Sequence, residues 1–269
     1  MTAVRFEAMK KTWISALLLS VVLLLAGCGG GQSGSSGTDG LAGGDGAPGT
    51  AGTGGSSGSG ESGDLETETG SQHYDQAISR VEIDSDAGDV ELRSGPDGSA
   101  QVDRTLRWSG ERPTVTESVD GDVLRITARC PDQQPRRDRC EVDFTVIAPA
   151  AVSVRTKLGA GGITVTDLAG DQELVTSAGA VRGTGLRGAT VRAQSTAGRV
   201  ELAFAAAPQQ VDVKSTAGDV TVRVPTSEVY RVEARSTAGD VTVNVADEPG
   251  ATHTIRVRTT AGDVTVTGG

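Results

Sequence analysis

The sequence predicts an all-β protein, a single-stranded β-solenoid with rungs of about 20 residues. Three observations lead there. The string Ser215-Thr216-Ala217-Gly218-Asp219-Val220-Thr221-Val222 returns nearly unchanged from Ser236 to Val243 and from Thr259 to Val266. Worn copies surround Gly88, Gly161, Gly179 and Gly198, and the motif glycines from Gly161 through Gly239 to Gly262 lie 18 to 23 residues apart. Such a period marks one supersecondary unit stacked on itself. Apolar residues alternate on either side of each motif, Val211 and Val213 before it and Val220, Val222 and Val224 after it, which is strand periodicity.

Taken in order, residues 1–27 read as a lipoprotein signal peptide. Lys10-Lys11 precede an uncharged apolar run from Trp13 to Leu25 that is short for a bilayer span, and Leu25-Ala26-Gly27-Cys28 follows at once. That string resembles the bacterial lipobox, which implies a diacylglyceryl anchor on Cys28 and a place on the extracytoplasmic face of the cell membrane. An ordinary secretory signal with a chance cysteine is the alternative, and Met9 is an alternative start. Residues 28–76 read as a Gly/Ser-rich flexible tether, because they hold too little apolar surface for a core. Glycine occupies every third position from Gly31 through Gly58, the collagen period, but Pro48 is the sole proline there; a spacer is the simpler reading than a trimer.

Residues 77–269 are expected to form the repeat domain, with 77–150 less regular and cap-like. Within 77–150 the alternation of Val81, Ile83, Val90 and Leu92 is interrupted by longer loops. Cys130 and Cys140 bracket one such loop, and export to an oxidising compartment predicts a disulfide between them. In the repeats, parity turns Val222 and Val243 inward on neighbouring rungs and Thr221, Thr242 and Thr265 outward. Gly88, Gly161, Gly179, Gly198, Gly218, Gly239 and Gly262 supply the corner. Thr176, Ser195, Ser215, Ser236 and Thr259 share inward parity, so a hydroxyl ladder between rungs is expected. Three Phe and two Tyr in the whole chain suit a narrow interior of Val and Ala. A β-sandwich is the runner-up, but it gives no reason for one corner motif at each period.

Strand repeats closing on Ser-Thr-Ala-Gly-Asp-Val-x-Val in an envelope lipoprotein resemble the bacterial candidate-adhesin β-strand-repeat family, a domain of unknown function. The resemblance covers roughly residues 80–269. It implies a β-solenoid in the envelope and brings no catalytic residues.

Candidate chemistry is sparse. No nucleophile elbow, P-loop or His-Glu-x-x-His string appears, and His73 and His253 stand far apart in sequence, so an enzyme is not expected and no cofactor is implied. Asp219, Asp240 and Asp263 would stack as a carboxylate ladder, a weak candidate for Ca²⁺. The competing reading has each aspartate capping its own turn, and it is favoured because Gly162, Ala180 and Arg199 hold that place upstream. The outward threonines lack the second consistent rank of an ice-binding face. Arg136, Arg137 and Arg139 form a small basic epitope in the cysteine loop.

The net charge is −10; Arg5, Lys10, Lys11 and Glu7 give residues 1–27 +2, leaving −12 on the remainder. That acidity argues against nucleic acid as a partner. The expected function is a non-enzymatic, adhesin-like surface module, anchored in the membrane and binding an envelope protein or polysaccharide. Envelope-stress sensing through a membrane partner is the alternative, and it rests on the family resemblance.

Overall fold

The computed structural model describes residues 65–132 and 139–269. Cys28, residues 28–64 of the expected tether, and Arg136 and Arg137 lie outside the described residues. The chain is all-β there, with no helix long and apolar enough to cross a membrane among the described residues.

The first strands are β1 (Glu66–Tyr74), β2 (Arg80–Ala87), β3 (Val90–Gly95), β4 (Ala100–Trp108), β5 (Thr114–Asp120), β6 (Val123–Arg129) and β7 (Cys140–Pro149). Then come six strand pairs, each joined by an Ala-Gly corner. They are β8 (Ser153–Ala160) with β9 (Ile163–Thr166), β10 (Gln172–Ala178) with β11 (Val181–Leu186), and β12 (Thr190–Ala197) with β13 (Val200–Phe204). The last three are β14 (Gln210–Ala217) with β15 (Val220–Val224), β16 (Tyr230–Ala238) with β17 (Val241–Asn244), and β18 (His253–Ala261) with β19 (Val264–Gly268). β1 falls where a tether was expected, so the strands among the described residues begin at Glu66 rather than after residue 77. Thr67, Thr69 and Ser71 have little apolar bulk, but their backbone pairs with all of β4, which composition alone does not reveal.

Each pair gives one strand to each of two sheets. The ten-stranded sheet runs β1-β4-β7-β3-β9-β11-β13-β15-β19-β17, and the nine-stranded sheet runs β16-β18-β14-β12-β10-β8-β2-β6-β5. All pairings are parallel except those of β1, β4 and β5. The result is solenoid-like: alternate residues of both sheets meet in one core, in which Val81, Val102, Val181, Val211, Val222 and Val266 are 0% exposed.

The units do not stack in sequence order. β18–β19 lies between β14–β15 and β16–β17, so Val222 pairs with Val266 and not with Val243. At the other end β2–β3 lies between β6–β7 and β8–β9. Val243 is consequently not interior: β17 ends its sheet, and Val241 and Val243 are 42% and 40% exposed.

Candidate functional site

The repeated corner is held by contacts between units. Gly218 has φ +143°, and a Cβ on it would run into the carbonyl oxygen of Gly198; Gly239, at φ +145°, stands in the same way over Gly262. The corner therefore needs glycine both for its conformation and for the approach of the neighbouring backbone.

The expected hydroxyl ladder forms across units. Thr176 Oγ1 donates to the Gly161 carbonyl at 2.9 Å, Ser195 Oγ to Gly179 at 3.0 Å, Thr259 Oγ1 to Gly218 at 3.3 Å and Ser236 Oγ to Gly262 at 2.8 Å. Ser215 faces inward, but its Oγ has no partner among the described residues.

The aspartates cap a neighbour's corner, not their own. Asp219 Oδ1 accepts the Asp263 N–H at 3.1 Å, Asp263 Oδ1 accepts the Asp240 N–H at 2.8 Å, and Asp89 Oδ1 accepts the Gly162 N–H at 2.6 Å. The reason lies in alternating amides. Gly262 and Val264 donate to Ala238 and Asp240 on one side; the Asp263 N–H between them points to the other side, where the Asp219 carboxylate receives it. Arg199 adds an ion pair to Asp219 at 3.5 Å. The backbone thus occupies an oxygen of both Asp219 and Asp263, and no group of three or more metal-ligating side chains occurs among the described residues. Thr221, Thr265 and Thr242 lie in register on the ten-stranded sheet.

Cys130 and Cys140 are joined by a disulfide, with Cα atoms 5.9 Å apart. It ties β6 of one sheet to β7 of the other. Nearby, Ser109 donates its N–H to the Arg139 carbonyl and accepts the Arg139 N–H on Oγ. The histidines serve locally. His253 Nδ1 lies 2.7 Å from the Pro208 carbonyl oxygen and its ring meets Tyr230 edge-on, while His73 lies 3.0 Å from Asp75.

Sequence reasoning missed the outer face of the nine-stranded sheet. One row across it reads Arg125, Glu82, Arg155, Glu173, Arg192, Asp212, Arg256, Glu233, each residue directly opposite the next. The sign alternates at every step, and contacts of 2.6 Å (Arg125–Glu82), 3.6 Å (Arg155–Glu173) and 3.3 Å (Arg256–Glu233) form along it. The next row carries Thr127, Asp84, Lys157, Val175, Gln194, Lys214, Arg258 and Arg235. Lys214, Arg258 and Arg235 are adjacent and exposed, with no carboxylate within ion-pair distance among the described residues. Shallow troughs open on this face. One of about 360 Å³ is lined by Glu82, Asp84, Arg125 and Lys157, and one of about 210 Å³ by Glu173, Arg192, Asp212 and Lys214. Part of the signal was present in the sequence, where Arg155, Glu173, Arg192 and Asp212 alternate in sign at equivalent outward positions, but the full alternation appears only in the spatial order of the units.

Two facing, parallel-rich sheets joined by a repeated Gly-Asp corner define a solenoid-like β-repeat protein. The chain belongs to the Toastrack DUF4097 family, a domain of unknown function, whose model matches residues 61–267. No curated protein matches it. Among solved structures, a candidate cell adhesion protein from Clostridium sporogenes ATCC 15579 is 10% identical over 76% of this chain and 100% of its own, with a TM-score of 0.46. A candidate adhesin from Bacteroides fragilis NCTC 9343 is 15% identical over 74% and 97%, with a TM-score of 0.45. A candidate lipid binding protein from Parabacteroides distasonis ATCC 8503 is 9% identical over 76% and 97%, at 0.36. At these TM-scores the likenesses carry no argument.

Proposed function

We propose that this chain is a lipid-anchored cell-envelope protein whose β-repeat domain is a non-enzymatic, adhesin-like binding module. In this reading a diacylglyceryl group on Cys28 holds the chain at the extracytoplasmic face of the membrane, and the Gly/Ser-rich stretch spaces the domain from the bilayer. The domain itself is solenoid-like, its repeat units of about 20 residues each giving one strand to each of two sheets. The partner is an acidic polysaccharide or an envelope protein with an acidic face, and nucleic acid is not a partner.

The observation that carries this reading is the exposed cation row of Lys214, Arg258 and Arg235 on the flat nine-stranded sheet. Most corner hydroxyls, and the Asp89, Asp219 and Asp263 carboxylates, are engaged in holding units together, whereas these cations form no ion pair among the described residues on an acidic chain of net charge −10. Like charges side by side on a sheet face destabilise it unless an anion meets them, and a broad flat face suits an extended partner better than a small molecule.

The test is retention of the purified chain on isolated envelopes. Lys214→Glu with Arg258→Glu should weaken retention roughly tenfold through lost electrostatic complementarity and leave the thermal midpoint nearly unchanged. Unaltered retention would remove this face from the argument. Retention that depends on one membrane protein, and on envelope damage, would favour the sensing alternative. Cys28→Ala should release the chain from the membrane.

A further inference from the structure

The repeated motif carries an outward pattern as well as a corner. Its three fullest copies open with a cation, an inward hydroxyl and a threonine: Lys214-Ser215-Thr216, Arg258-Thr259-Thr260 and Arg235-Ser236-Thr237. In the middle place, Thr259 and Ser236 bond a neighbouring corner. The cation and the threonine that flank each middle residue are exposed.

β14, β18 and β16 are neighbours, so Lys214, Arg258 and Arg235 stand directly opposite one another. Thr216, Thr260 and Thr237 form a second row, because the residues before and after them are paired in the same register. Strands lie about 4.8 Å apart, and same-face residues recur about every 6.7 Å along a strand. The face therefore carries a ladder with cations on one rail and hydroxyls on the other, one pair to each strand. Gln194 and Thr196 on β12 extend it by a neutral step, and a trough of about 210 Å³ runs past Gln194 and Lys214. Val175 on β10 ends it.

We propose that this ladder binds an acidic glycan, an extended chain of linked uronic acids lying across the strands and parallel to the stack. The proposal rests on the cation-row reading above and narrows its partner to one class. In an extended chain alternate sugars turn opposite edges to the same side, so carboxylates on one side recur every second sugar. Two pyranose rings advance by close to two strand steps, about 10 Å. Lys214 and Arg235 stand two steps apart and take two such carboxylates. Arg258 faces the hydroxyl edge of the sugar between them, and the threonines face the opposite edges. An extended acidic peptide fits less well, because its same-face side chains recur about every 6.7 Å, out of step with the strands. An anionic bilayer is disfavoured by the net charge of −10 on the whole chain, most of which is screened from a single glycan strand lying on one row. The acids beside the ladder, Asp212 and Glu233, both lie opposite Arg256.

Titration of the purified full chain with oligomannuronates of increasing length tests the fit. Affinity should rise steeply up to the trimer, which first spans Lys214 and Arg235, and little beyond the tetramer. The methyl esters, which keep the shape and lose the charge, should bind roughly tenfold more weakly. Lys214→Gln and Arg235→Gln should each weaken binding roughly tenfold. Lys157→Gln, which removes a cation of the same row that has Asp84 opposite, should change nothing. Thr216→Ala with Thr260→Ala should weaken binding severalfold and leave its salt dependence unaltered, which charge attraction alone does not predict. All these positions are exposed, so the thermal midpoint should hold in every variant. The proposal is overturned by methyl esters that bind as tightly as the free acids, by phosphatidylglycerol vesicles or polyglutamate that match the uronates, or by an equal loss in Lys157→Gln. If no uronate binds while Lys214→Glu with Arg258→Glu still weakens envelope retention, the glycan alone is overturned and an acidic protein is the partner. Unaltered retention removes the cation-row reading as well.

Discussion

The two ends of the described domain close the same stack in opposite ways. At one end β1, β4 and β5 turn antiparallel, and their side chains bridge the sheets. The Tyr74 hydroxyl donates to Glu117 Oε2 at 2.7 Å, and Arg104 donates to Glu117 Oε1 at 2.5 Å, joining β1 and β4 of one sheet to β5 of the other. Burial, and then the hydrogen bond to Glu117, raise the Tyr74 phenol above its usual range. Arg112 holds Glu68 at 2.7 Å and lies 5.7 Å from the centre of the Trp108 ring, and the disulfide ties β6 to β7. At the other end Ala246–Glu248 pairs along only the start of β16, and Val241 and Val243 of β17 stay half open to solvent. A unit whose contacts are all with copies of itself cannot end its own stack. Termination takes a different sequence, as in β1 to β7 or in the Ala246–Glu248 segment against β16.

The sharpest way to break this contrast is one substitution at two equivalent corners. Val222→Asp places a charge at a site 0% exposed and should cost several kcal/mol, enough to unfold a marginal domain. Val243→Asp, at a site 40% exposed, should cost about 1 kcal/mol or less in denaturant melts. Equal losses would mean that the open end is covered in solution.

Next in size is the disulfide. Cys130 and Cys140 are 10 residues apart, and reducing the bond should cost roughly 2.7 kcal/mol on the chain-entropy account. Hydrogen exchange should show protection falling first in β6 and β7 and last in β12 to β15.

Glu117→Ala leaves the Arg104 and Tyr74 donors unpaired and should cost about 1–3 kcal/mol. Loosening should be confined to β1, β4 and β5, which amide exchange can localise.

The smallest effect is of pH. The Arg112 hydrogen bond holds Glu68 below its ordinary 4.5, and the Ser71 hydrogen bond holds Asp103 below its ordinary 3.8. Depressed folded values mean that their contribution is complete above those ordinary values and is lost as pH falls through the lower folded ones. A slight loosening of β1 from β4 is therefore expected only in acid below about pH 4.5, with no change there between pH 6 and 8. Both groups are exposed, so Glu68→Gln should remove little more than the Arg112 contact.

Much of this was legible in the residues. The alternation of Val211, Val213, Val220 and Val222 gave strands and their faces, and all four are buried. The Ala-Gly-Asp corners and the inward hydroxyls also fell where spacing placed them. β1 escaped notice because its contribution is mostly backbone pairing, which any residues but proline supply. The reach of Asp219 to Asp263 escaped because the two are 44 residues apart.

What the sequence determined alone is the unit: two strands, a glycine corner and one apolar face, each fixed by local sterics and a period of two. The order of the units was a tertiary decision. Near-identical units pair equally well by pattern, so periodicity cannot say which neighbours which. In chain order Asp212 would face Glu233, and Arg125 would face Arg155. Placing Arg256 between the first two and Glu82 between the second two makes every step attractive, worth about 0.2–1 kcal/mol per pair. Those sums favour one order only when the strands are laid side by side, which is why the exchange of units at both ends had to be seen in three dimensions.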